Sequence, residues 1–169
     1  MWRKHYMNIN KSIIRTADIC DEYPEASVIQ INFKDYGKKH EFQGVAVIYS
    51  TFEDIRGIKE LLASDGEGKV LLVNGQGSLR RALCGGKIAA KACSSGWEGL
   101  IFNGAIRDQH EIVEIDIGIK AIGSSPKRPS QDGIGGLKKS TVLGDVVVNS
   151  GDYIYADRDG VVVLTANAK

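Results

Sequence analysis

The stretch from Lys69 to Glu111 constrains this chain most, because it reads as one βαβ unit. An apolar strand, Lys69-Val70-Leu71-Leu72-Val73, runs into the glycine turn Asn74-Gly75-Gln76-Gly77-Ser78. Leu79 to Cys84 then leads to a second glycine pair, Gly85-Gly86, and to a helix expected over Lys87 to Ser95. A second apolar strand, Gly99-Leu100-Ile101-Phe102, ends in Asn103-Gly104-Ala105-Ile106-Arg107-Asp108. In such units ligand sites form beyond the carboxyl ends of the strands. Both glycine turns and the Arg107-Asp108 pair fall there.

The remaining chain is read around that unit. Its 169 residues suit one domain with a sizeable core, with residues 1–10 expected to form a flexible extension. A formal net charge of +1 favours neither direct nucleic-acid binding nor a membrane surface as partner. No apolar run is long enough to span a bilayer. Met1 to Tyr6 is basic but has no apolar stretch behind it, so no secretory signal is expected, and Met7 offers an alternative start. Cys20, Cys84 and Cys93 lack CxxC spacing, which argues against a disulfide framework or a zinc site. Small buried thiols in a reducing, cytoplasmic setting fit better.

Ser12 to Tyr23 reads as a first helix, stopped by Pro24. Val28 to Phe33 alternates as a half-buried strand, and Phe42 to Tyr49 reads as a more apolar one. Thr51 is placed to cap a helix from Phe52 to Ala63, whose Ile55, Ile58, Leu61 and Leu62 recur at helical spacing. After the central unit come a helical turn (Gln109 to Glu114) and a strand (Asp116 to Ile122). An irregular stretch follows from Ser124 to Leu137, of a length that is usually functional or mobile. Three short strands close the chain, Asp145 to Val148, Tyr153 to Tyr155 and Gly160 to Leu164.

The chemistry-bearing residues each have two readings. Arg107 offers a planar fork for a carboxylate, and Asp108 a hard oxygen for a divalent cation. Equally, the two could be a solvated salt bridge with Asp108 as a helix N-cap. Gly85-Gly86 before a helix lets the backbone approach an anion, or simply makes the turn. Asn74 to Ser78 lacks the third glycine of a dinucleotide fingerprint, since Arg80 stands in its place, and no Walker lysine follows. His110 is the histidine near the cluster and reads more readily as a surface residue. Arg80 and Arg81 with Lys87 and Lys91 form either a basic patch or a solvated face.

Several blocks together resemble the regulator of ribonuclease activity A (RraA) family. They are Gly66-x-Gly68-Lys69-Val70-Leu71, Gly77 to Leu83, Trp97-Glu98-Gly99-Leu100-Ile101, Gly104-Ala105-Ile106-Arg107-Asp108 and Asp116-Ile117-Gly118-Ile119. Thr16 to Asp21 and Gly151 to Asp157 fit too, so the resemblance covers most of the chain. That family includes class II 4-hydroxy-4-methyl-2-oxoglutarate aldolases, which also decarboxylate oxaloacetate. Some members have carried the name of menaquinone-pathway methyltransferase, although no glycine motif for such a cofactor is visible here.

The resemblance implies an α/β fold, a β-sheet sandwich of mixed sheets flanked by helices (the swivelling type) around the central βαβ unit. It implies assembly as a homotrimer or a dimer of trimers. The family motif Arg-Asp-x-x-Glu/Asp reads here Arg107-Asp108-Gln109-His110-Glu111. By that similarity Asp108 would hold Mg²⁺ or Mn²⁺, and Arg107 would hold the carboxylate of a small 2-keto acid. The backbone of Gly85, Gly86, Lys87 and Ile88 would receive the pyruvyl part. The chain departs from the aldolases at Gly86, where they carry an aspartate, and at Lys87, where many members carry glutamate. Two functions follow as expectations: a metal-dependent 2-keto-acid lyase with Arg107 and Asp108 catalytic, or a non-catalytic regulator of a ribonuclease E-type partner. In length the chain is nearest to the regulator branch, which typically lacks the aspartate that this chain keeps as Asp108.

Overall fold

The computed structural model describes residues 12–166. The extension expected over residues 1–10, the basic start and the alternative start at Met7 lie outside them. Helix α1 spans Thr16–Glu22, followed by the short strands β1 (Ser27–Val28) and β2 (Lys34–Asp35). Then come β3 (Phe42–Ser50), helix α2 (Arg56–Leu62), β4 (Lys69–Asn74), helix α3 (Gly86–Ser94) and β5 (Gly99–Ile106). The second half holds α4 (Gln109–Ile112), β6 (Gly118–Ser124), β7 (Gly136–Lys138), β8 (Ser140–Leu143), β9 (Val146–Asn149), β10 (Tyr153–Ala156) and β11 (Val161–Leu164).

Strands β3, β4, β5 and β6 are parallel neighbours and form the centre of the main sheet. Strand β2 borders β6 at one edge, and β10, β11 and β1 continue antiparallel from β3 at the other. The late half of β3 leaves β10 and pairs with β7 instead. Strands β4 and β5 are near-continuous apolar runs because both of their faces are covered. Leu71, Val73, Leu100 and Phe102 pack under Ile58 and Leu62 of α2 and Ala89 and Ala92 of α3. On the opposite face Val70, Leu72 and Ile101 meet Leu143, Val146 and Val148 of the β8–β9 ribbon. Each such Val, Leu, Ile or Phe side chain, fully buried, contributes about 1.5–3 kcal/mol. This layering is the mixed α/β sandwich expected of the fold class. No helix among the described residues is long and apolar enough to cross a membrane.

Where the elements differ from the sequence reading, local hydrogen bonds decide. Helix α1 starts at Thr16, not Ser12, because the Asp157 carboxylate accepts from the Thr16 amide and hydroxyl, each at 2.8 Å. The strand expected over Val28 to Phe33 is reduced to Ser27–Val28, with the Ile29 amide making the last bond to β11 at the Val161 carbonyl (3.0 Å). Beyond it Ile31 and Phe33 donate to the carbonyls two residues back, and these tight turns consume the backbone groups a strand would need. Thr51 caps no helix. Its single hydroxyl proton is shared between the carbonyls of Asp54 (2.9 Å) and Ile134 (2.8 Å), and α2 begins only at Arg56. Strand β5 runs four residues past Phe102, to Ile106, so that Arg107 follows its last residue directly.

Candidate active site

The carboxyl end of β5 and the start of α3 are brought together by the segment between β4 and α3. Leu83 donates its amide to the Ala105 carbonyl (2.7 Å), and Arg107 donates to the Cys84 carbonyl (2.9 Å). Residues 82–84 thus lie along the last rungs of β5, which delivers Gly85-Gly86 to Arg107-Asp108. Asp108 itself is left-handed, with φ 59° and ψ 42°. That conformation costs a non-glycine residue about 1–2 kcal/mol. It stands at the N-cap position of α4, yet its side chain makes no capping bond. Instead Oδ2 accepts from the Gly86 amide (3.2 Å) and lies 3.7 Å from Arg107 Nε. The side chains of Arg107 and Asp108 are 31% and 36% exposed, so their pairing is screened and both remain open to a ligand.

The two glycines are required by close approach. A β-carbon on Gly85 would meet Asp108 Oδ2 and stand 3.4 Å from Arg107 Nε. One on Gly86 would overlap the Glu111 carboxylate. Glu111 therefore fills the volume that a side chain at 86 would take. With the Gly86 amide donated to Asp108, the Lys87 and Ile88 amides in the first turn of α3 have no protein acceptor among the described residues.

Gly85, Lys87, Ile88, Arg107 and Asp108 line one cleft of about 260 Å³, together with Glu111. Gly86 does not line it but lies beneath Glu111. The remaining wall comes from residues that the sequence did not mark as part of a site: Ile55 and Lys59 at α2, Ala82 and Cys84 before α3, and Arg128, Pro129 and Gln131 on the loop after β6. The one signal for the latter was the length and proline content of that irregular stretch.

Other sequence candidates fall elsewhere. His110 is 83% exposed, 3.8 Å from Glu111, and borders a separate, more open pocket that Arg107 and Asp108 share. Arg80 and Arg81 do not form a free basic patch, because Glu53 takes both, at 2.6 and 3.7 Å, while Arg80 also stacks over Phe52. In the Asn74–Ser78 turn, the Gly75 and Gly77 amides are spent on the Asn103 carbonyl and that of Gln76 on the Asn74 side chain. No phosphate cradle remains. Burial, reinforced by the Asp108 charge, pushes the Cys84 thiol up to about 12, which leaves it protonated and inert.

Among the described residues no group of three or more His, Cys, Asp or Glu side chains is gathered for a metal. Asp108 with Glu111 nearby suits a hard cation that keeps most of its waters and takes one or two carboxylates. A closed histidine and thiolate cage of the zinc type does not fit.

The chain is similar to several known proteins. The family model described as RraA-like, Aldolase/RraA, matches residues 16–163. A Pseudomonas aeruginosa (strain LESB58) protein named "Putative 4-hydroxy-4-methyl-2-oxoglutarate aldolase" is 42% identical over 149 residues, 88% of this chain and 92% of its own. The structure of the RNA-processing inhibitor RraA from Thermus thermophilis superposes with a TM-score of 0.88 at 37% identity, over 90% of this chain and 93% of that one. A Geobacillus kaustophilus HTA426 structure described as S-adenosylmethionine: 2-dimethylmenaquinone methyltransferase gives 0.88 at 40% identity, over 90% and 95%.

Proposed function

The chain belongs to the RraA-like, Aldolase/RraA family, and from that premise we propose that it is a divalent-cation-dependent carbon–carbon lyase acting on 2-keto acids. Its reactions are aldol cleavage of 4-hydroxy-4-methyl-2-oxoglutarate to pyruvate and decarboxylation of oxaloacetate. The observation that carries this reading is the setting of Arg107 beside Asp108 in one cleft, facing a helix start with two unused amides.

Each residue has a task that its chemistry suits. Arg107 pairs with the carboxylate next to the keto group through its planar fork. The Lys87 and Ile88 amides, at the positive end of α3, receive the same anionic end. Asp108 holds Mg²⁺ or Mn²⁺ and is itself oriented by the Gly86 amide. When bound, the cation supplies Lewis-acid stabilisation for the negative charge that both reactions develop on the keto oxygen. Gly85 keeps its part of the cleft free of a side chain, and Gly86 makes room for Glu111. The family's homotrimeric assembly is part of the proposal.

The test is pyruvate formation from oxaloacetate with added Mg²⁺ or Mn²⁺. Activity lost in Asp108→Ala and Arg107→Ala and on chelation is expected. Activity that is absent from the wild type, or indifferent to all three, contradicts the reading. The likeness to the Thermus inhibitor favours a second role, in which this chain binds a ribonuclease E-type partner through its surface. Inhibition of such a ribonuclease that survives Asp108→Ala supports that role, and no association with it would remove it.

A further inference from the structure

Four cations line the cleft, Lys59, Lys87, Arg107 and Arg128, against two carboxylates, Asp108 and Glu111. A keto acid with a single carboxylate needs only Arg107 and the α3 amides. The cations contributed by α2 and the loop after β6 are then left over. Arg128 is the telling one. Its guanidinium makes no hydrogen bond or ion pair among the described residues, whereas its backbone is fixed on every side. Lys127, before it, accepts from the Ala82 amide (3.0 Å), and the Arg128 carbonyl accepts from Arg81 Nη1 (2.8 Å). Pro129 follows. Ser130 then exchanges backbone bonds with Glu53 (2.8 Å) and Ile55 (3.1 Å).

Beneath this loop sits the carboxylate of Asp54, only 1% exposed. Its Oδ2 accepts from the Ser130 hydroxyl (2.8 Å), the Gly133 amide (3.2 Å) and the Asp132 amide. A buried charge satisfied in this way clamps the loop. The molecule therefore fixes the backbone that carries an unpaired arginine on the cleft wall, and a free guanidinium there matches a carboxylate.

We propose that Arg128 is a specificity-determining residue that takes the far carboxylate of a dicarboxylic 2-keto acid, with Asp54 as the positioning residue of its loop. The inference rests on the keto-acid reading of the cleft. It adds that the two ends of the substrate are read by two different arginines, Arg107 near the keto group and Arg128 at the far end.

Two ligands of equal chain length isolate the far end, 2-oxoglutarate and 2-oxopentanoate, which differ in a terminal carboxylate against a methyl. Titration calorimetry of the full chain with Mg²⁺ gives both affinities. The wild type is expected to bind 2-oxoglutarate about ten- to a hundredfold more tightly. In Arg128→Ala the ratio falls to about one through loss of 2-oxoglutarate affinity, and Arg128→Lys recovers part of it without the planar fork. Arg107→Ala weakens both ligands together. Equal binding of the two ligands by the wild type, or a preference that persists in Arg128→Ala, overturns the proposal. An Arg128-dependent preference in a protein that forms no pyruvate from oxaloacetate upholds this inference while removing the lyase reading. Pyruvate formation without that preference does the reverse.

Discussion

Gly85 and Gly86 each lie under a carboxylate, and the two carboxylates have different work. Gly85 makes room for Asp108 and Arg107, and Gly86 for Glu111. Gly85→Ala would push the Asp108 carboxylate away from the Gly86 amide, since the added methyl and Oδ2 claim the same space. A displacement of about 1 Å in a substrate-positioning group costs about 10²-fold in rate. Gly85→Ala is therefore expected to lower kcat/KM for pyruvate formation by about that factor with little change in thermal midpoint. Gly86→Ala should move Glu111 instead and cost less. Steady-state kinetics beside a melting curve checks this, and an equal or larger loss in Gly86→Ala would contradict the assignment. The sequence made the pair visible as turn glycines. It did not show what they make room for, because residues 86 and 111 meet only across the α3–α4 contact. Nor did it show the left-handed Asp108, which turns the expected N-cap into a side chain facing the cleft.

At the scale of elements, the loop after β6 is the part that the sequence showed as irregular without showing its anchor. That anchor is Asp54. Burial alone would raise its pKa, but the Ser130 hydroxyl and the amides of Arg56, Asp132 and Gly133 outweigh it and hold the carboxyl below the usual range. A pKa lowered by folding contributes stability that is present above the unfolded value. That stability is lost as pH falls through the folded one. The loss is therefore expected below about pH 4, the ordinary aspartate range. Asp157, lowered likewise by Thr16, Asp159 and Gly160, adds to the same window. Asp54→Asn should cost about 1–3 kcal/mol at neutral pH by leaving buried donors poorly matched. It should also flatten, without abolishing, the acid slope. Urea midpoints from about pH 6 down to about pH 3 would show it, and a slope as steep as the wild type's would count against the clamp. Strands β4 and β5, which bury both faces, were legible because their apolar runs are continuous, and β3 because its apolar residues run on with one face buried. Val28 to Phe33 misled because alternation is shared by a strand and by a chain of tight turns. Strands β7 and β8 escaped because they are short and sit among lysines and glycines.

For the whole molecule, the order of strands and the β8–β9 ribbon across one face lie beyond local patterning, since nothing in residues 140–149 says which face of which sheet they cover. The parallel centre was readable from the βαβ unit, and the family resemblance supplied the sandwich. What this architecture accomplishes is to end β5 and begin α3 at one cleft, with a cation-suited carboxylate and a guanidinium between them. The most direct test is exchange of the pyruvate methyl protons with solvent deuterium, followed by proton NMR with Mg²⁺ or Mn²⁺ present. It reads enolate formation without needing the physiological substrate. The account predicts that the wild type washes out the methyl signal, and that Asp108→Ala or chelation slows this on the order of 10²–10³-fold. A methyl signal that persists with the wild type, or that disappears equally fast with Asp108→Ala, would contradict it.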